Sequence, residues 1–238
     1  MNARQQEFRL SLELRQVNDA VSCIFHSLMT HRSVAKFDYK GESNYSLGCL
    51  GIKEVECDTI DLTYVRINSD ELACHLAEEV QAFRDDIEQA TRSTPRRTPL
   101  SSPSPTESAI PLLCAQISLE FYQKRRRQWP LADDSVSWEK WMLCLDIFKV
   151  NSYDDLARMR VSVAESVGEI VLSLCSAINR QQYLPKMPVR AELNNVFDSH
   201  FSDCQPYLFK VTRMPTTTSA VQQSGFSTVR RLIKDFTL

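Results

Sequence analysis

Leu156, Met159, Val163, Val167, Ile170, Val171, Leu174 and Ile178 recur at spacings of three and four residues. Such a stripe, about six turns long on a 3.6-residue period, predicts one long amphipathic helix over 153–180. Ser152 with Asp155 predicts its N-terminal cap, and Pro185 and Pro188 stop any continuation. A helix this long must lie on something broad, and the rest of the chain supplies strands.

Phe8, Leu10, Leu12 and Leu14 alternate with polar residues, so 7–15 reads as a strand with one buried face. The period then changes. Val17, Ala20, Val21, Ile24, Leu28 and Met29 share a helical face, which predicts a helix over 16–31. Residues 36–67 have β character, punctuated by Gly41, Gly48 and Gly51, and 59–67 is rich in β-branched and aromatic residues. Asn68 with Glu71 predicts the cap of a second helix, carried to about 90 by Leu72, Leu76, Val80, Phe83 and Ile87. Alternation returns at 116–123 and 138–149, and 205–213 and 227–236 read as late strands. Strands and helices do not alternate regularly, which disfavours a doubly wound sheet. The expected class is α+β: one domain, a mixed and mostly antiparallel sheet, and three main helices.

Residues 91–108 break the pattern. They hold four prolines and one large apolar residue, Leu100. Such a stretch cannot bury enough surface to offset its ordering entropy, so a disordered insertion is expected. Thr94, Thr98, Ser102 and Ser104 each precede a proline. They are candidate sites for proline-directed kinases, or simply part of an unmodified surface loop.

A formal net charge of −2 gives no global attraction to nucleic acid or an anionic membrane. The first fifteen residues are charged throughout and offer no apolar h-region, and no uninterrupted apolar run approaches a membrane span. A cytosolic or nuclear chain without a span is expected. Eight cysteines are scattered with no CxxC pair, which speaks against a zinc site and for mostly buried free thiols. His26, His31, His75 and His200 form no metal-binding spacing. GCLG at 48–51 reads as a turn between strands. No P-loop, GxSxG or dinucleotide fingerprint is present, so neither an enzyme nor a cofactor is expected.

One stretch resists a bland reading. KRRRQWPL, residues 124–131, runs four cations into Trp129, Pro130 and Leu131 between two predicted strands. Lys124, Arg125, Arg126 and Arg127 form either a solvated hairpin tip or an anion contact such as a phosphoinositide site. Trp129 is either core or an exposed contact residue, and tryptophan is enriched among binding hot spots. Trp138 and Trp141 are expected in the core.

SLEFYQKRRRQWP at 118–130, RQQYLPKMP at 180–188, NNVFD at 194–198, QPYLFK at 205–210 and RRLIKD at 230–235 resemble the autophagy-related protein 101 family of HORMA-domain proteins. HRSVAKFDYK from 31 and CDTIDLTYVRI from 57 fit the same family, so the resemblance runs nearly end to end. It implies a HORMA fold across 1–238 and no catalysis. It implies pairing with the HORMA domain of autophagy-related protein 13, and membership of the autophagy-initiation kinase complex with its kinase and scaffold subunit. It also implies a protruding tryptophan–phenylalanine finger that recruits downstream autophagy factors, in the cytoplasm and at the phagophore assembly site. Trp129 takes the finger tryptophan position, and Leu131 stands where the family has phenylalanine. Leucine keeps apolar area but loses the ring face. The family's short connection is replaced here by an insertion at 91–115. A second HORMA reading is an adaptor of checkpoint or chromosome biology that entraps a peptide under its C-terminal segment.

Overall fold

The computed structural model describes residues 3–93, 111–125, 134–150, 152–180 and 184–218. Ten strands and four α-helices follow one another among these residues. β1 (Arg4–Glu13) leads through one 3-10 turn into α1 (Val17–His31). Three short pieces, β2 (Ser33–Val34), β3 (Phe37–Tyr39) and β4 (Tyr45–Leu47), precede the hairpin of β5 (Ile52–Glu56) and β6 (Thr63–Ile67). α2 (Asp70–Ser93) is followed by β7 (Leu113–Arg125) and β8 (Asp134–Phe148), then α3 (Tyr153–Ile178). The single turn α4 (Leu193–Val196), β9 (Gln205–Pro206) and β10 (Phe209–Thr218) complete the described chain.

The main sheet has the order β1-β8-β7-β10. β1 runs parallel to β8, and the other pairings are antiparallel. This is the expected α+β class with three main helices. Alternation explains the layering. Leu113, Ala115, Ile117, Leu119 and Phe121 of β7 point to the same buried face as Trp141, Leu143, Leu145 and Ile147 of β8. Phe8 stacks on Trp141 with centroids 6.0 Å apart and planes 12° from parallel. The helices bury their stripes in the same core, α2 through Leu72, Leu76, Val80, Phe83 and Ile87.

Several local expectations need correction. The strand expected over 59–67 begins only at Thr63. Residues before it turn, because Asp19 on α1 accepts from both the amide and the hydroxyl of Thr59, and the Cys57 amide donates to the Leu62 carbonyl. α2 is capped by Ser69 rather than Asn68: the fully buried Ser69 hydroxyl accepts from the Leu72 amide at 3.4 Å. Ser69→Ala should therefore cost about 1 kcal/mol in urea unfolding, whereas Asn68→Ala should leave the midpoint unchanged. Ser152 sits in the extended cap position of α3, but its side chain makes no capping hydrogen bond; Asp154 and Asp155 supply the favourable first-turn charge.

Residues 91–93 form the last turn of α2, with the Thr91 hydroxyl donating to the Ile87 carbonyl, and 111–115 lead into and open β7. Only 94–110 of the expected insertion lie outside the described residues. The strand expected over 205–213 is split. The Tyr207 amide donates to Arg32 and the Leu208 amide to Val196, so the backbone serves two partners before β10 joins β7. The strand expected at 227–236 lies outside the described residues.

All eight cysteines are free, but only Cys23, Cys57 and Cys204 are buried. Cys114 and Cys144 lie half-buried because alternation aims them at the face of the sheet away from the core; Cys49 and Cys74 are exposed.

Candidate functional site

The unusual stretch at 124–131 begins in the last two residues of β7. Lys124 and Arg125 extend β7, opposite Ser135 and Asp134, and both are exposed. Arg126, Arg127, Trp129, Pro130 and Leu131 lie outside the described residues, as do Thr94, Thr98, Ser102 and Ser104. What the structure adds is how this hairpin is held at its base.

The register shifts there. Phe121 faces Glu139, but Tyr122 faces Ser137, which leaves Trp138 unmatched in a β-bulge. The bulge turns Trp138 inward. It is 3% exposed, tilts against Phe121 at 5.7 Å and meets Tyr207 edge-on at 5.3 Å. Trp141 is 1% exposed, so both tryptophans are core as expected.

Beside the bulge lies a buried ion pair. Arg32 follows the last turn of α1 and forks onto Glu139, with Nε to Oε1 at 2.9 Å and Nη2 to Oε2 at 2.8 Å. The two side chains are 3% and 4% exposed. Trp141 Nε1 donates to Glu139 Oε1 at 2.7 Å, and the guanidinium also donates to the carbonyls of His31 and Ile178. Its carbon lies 5.8 Å from the centre of the Trp138 ring. One side chain thus joins α1, the hairpin base and the end of α3. The sequence reading missed this pair. The available signal was a carboxylate between two tryptophans on a strand otherwise patterned for burial.

α3 is the second notable surface. Val163, Val167, Ile170, Leu174 and Ile178 complete its inward stripe. The opposite face would then be expected to be polar. Instead Val161 is 48% and Leu172 69% exposed, with Gly168 between them opening onto free space. Spacings of seven and four put these three positions on one face. Apolar residues on both faces make α3 long and apolar enough to cross a membrane by length and composition. No uninterrupted apolar run approaches a span, and α3 passes this test only because its apolar residues are spread around the helix. The inward stripe nevertheless belongs to the domain core.

His31 Nε2 lies 3.5 Å from the Cys175 sulfur. His26 is buried and stacks on Tyr64 at 5.6 Å. Burial, with help from the nearby Arg66 guanidinium, pushes its imidazole from 6.5 down to about 4. The unfolded chain therefore takes up this proton first as the pH falls. Stability should be full above pH 6.5 and decline between pH 6.5 and 4, by about 2–4 kcal/mol from this group. His26→Phe should flatten that part of the urea-stability profile. His75 lies against Phe201 and Phe209, and His200 pairs with Asp198. Among the described residues no three histidine, cysteine or carboxylate groups are placed to hold a metal.

Sequence comparison supplies the context for these surfaces. The family model for Autophagy-related protein 101 matches residues 9–191. Autophagy-related protein 101 of Xenopus tropicalis is 36% identical over 99% of this chain and 98% of its own length. That of Bos taurus is 37% identical over the same shares, and that of Arabidopsis thaliana is 21% identical over 59% of this chain and 51% of its own. With a sheet, three main helices and a bulged hairpin now placed on residues that these relatives align with nearly end to end, the chain belongs to the Autophagy-related protein 101 family.

Proposed function

We propose that this chain is a non-catalytic HORMA adaptor of the autophagy-initiation kinase complex. It pairs with the HORMA domain of autophagy-related protein 13 and, through the complex, joins the kinase and its scaffold subunit in the cytoplasm and at the phagophore assembly site. The observation that carries the pairing is the outward face of α3, where Val161 and Leu172 add apolar surface that the domain's own core does not use. A partner that binds only the folded state of its counterpart raises that counterpart's apparent stability by mass action. Downstream factors dock on the finger of Trp129, Pro130 and Leu131, with Lys124, Arg125, Arg126 and Arg127 as the cationic flank.

Size-exclusion chromatography with light scattering, on a mixture with the autophagy-related protein 13 HORMA domain at micromolar concentration, tests the pairing. A one-to-one peak is expected, and two separate peaks overturn it. The finger has its own test. Trp129→Ala should change unfolding free energy by no more than about 0.5 kcal/mol, as a surface substitution does, and keep the one-to-one peak while pulldown of downstream factors falls. A large drop in melting temperature would place Trp129 in the core instead.

A further inference from the structure

The bulged arm of the β7–β8 hairpin is not satisfied by its own hydrogen bonds. Ser137 Oγ and Trp138 Nε1 are buried and have no hydrogen-bond partner among the described residues. A buried polar group left without a partner disfavours the arrangement that buries it. A regular register, without the bulge, would carry Trp138 to the other face of the strand and return its N–H to solvent. Something outside the hairpin must hold the bulge, and Arg32 is the charged group placed to do so. It forks onto Glu139, the next residue, and its guanidinium lies against the Trp138 ring.

The same guanidinium serves α3. That helix has no basic residue in its last turn. Its terminal carbonyls are reached from elsewhere: Ile178 by Arg32 and Ala177 by Arg4, which also donates to the Arg180 carbonyl just beyond the helix. A cation at a helix C-terminus is favourable, so the seat of this turn depends on where Arg32 is held. Buried ion pairs are poor net stabilisers, and their best-attested use is to select one arrangement over its neighbours.

We propose that the Arg32–Glu139 pair is a conformational latch. It fixes the bulged arm of the hairpin and the last turn of α3 in one relation, so that displacement of either is transmitted to the other. The use of this link rests on the proposed function, since it joins the last turn of α3, the helix whose outward face is the proposed pairing surface, to the base of the hairpin. The latch itself is tested on the chain alone, so its failure and the failure of the pairing are separate results.

The experiment is amide hydrogen exchange on the full chain carrying Arg32→Met with Glu139→Leu, which replaces the pair by apolar groups and leaves no buried charge. Melting temperature should fall by about 10 °C at most, the effect of removing the acceptor of the buried Trp141 N–H. Exchange should rise about tenfold or more at 122–125 with 134–137 and at 174–178 together, the effect of losing a charge-assisted hydrogen bond on each arm. The amides of α2 should keep their protection. Arg32→Lys is the second variant: it retains the charge but cannot fork, and should produce the same paired rise. Unchanged protection in both segments overturns the proposal. So does a rise in only one of them, which would make the pair a local brace. A uniform rise that includes α2 also overturns it, because that is a general loss of stability.

Discussion

Arg32→Ala should lower the unfolding free energy by about 3–5 kcal/mol, because it strands Glu139 as an unpaired carboxylate in a site where its side chain is only 4% exposed. Three further contacts fall with the guanidinium: its bonds to the His31 and Ile178 carbonyls and its approach to the Trp138 ring. Trp141 would still donate to Glu139, but one indole N–H does not replace a two-pronged fork. In a domain of this size the loss should appear as a fall in melting temperature of roughly 6–20 °C. Urea unfolding of the two chains side by side is the measurement. A difference below about 1 kcal/mol would mean that water reaches Glu139 as it reaches a surface pair, and the network would then have little structural weight.

Leu172→Asp should leave the fold intact and weaken pairing with the autophagy-related protein 13 HORMA domain by about 30-fold or more, the scale of a hot-spot residue. The two halves of that expectation have separate causes. Leu172 is 69% exposed, so the chain alone loses little when it becomes polar. In a complex the same carboxylate would be taken out of water without a partner, at a cost that an interface cannot absorb. Titration calorimetry against the partner domain, with a melting curve of each chain, reads both. Wild-type affinity for the variant would remove the outward face of α3 from the interface and leave its apolar character without a use.

The tests differ in which surface they touch. Leu172 lies outside the core, whereas Arg32 sits beneath both the helix end and the hairpin base. If both substitutions weaken pairing, only Leu172→Asp should do so without a change in melting temperature.

Much of this architecture was legible in the sequence. The spacing of apolar residues in 16–31, 68–90 and 153–180 is a local property, because side chains three and four apart must share a helix face whatever lies opposite. The alternation around Ile117 and Leu143 likewise placed two strands and sent Trp141 inward. The finer boundaries were not legible, since they depend on where backbone groups find distant partners. Thr59 turns because Asp19 lies beneath it, and the strand expected over 205–213 splits because Arg32 and Val196 take its amides. The burial of Cys114 and Cys144 also follows which face of the sheet the helices cover, and no residue near them announces that.

Sequence by itself determined the class, the three helices and, through motifs spread nearly end to end, the family. These rest on periodicity and on residue identity, both written along the chain. Tertiary structure alone decided that Glu139 meets Arg32, 107 positions away, and that the bulge at Trp138 is tied to the end of α3. It alone decided that Val161 and Leu172 face outward. An apolar stripe shows that a helix has a face to bury, but only the packed neighbours determine which face is already covered and which is left for a partner.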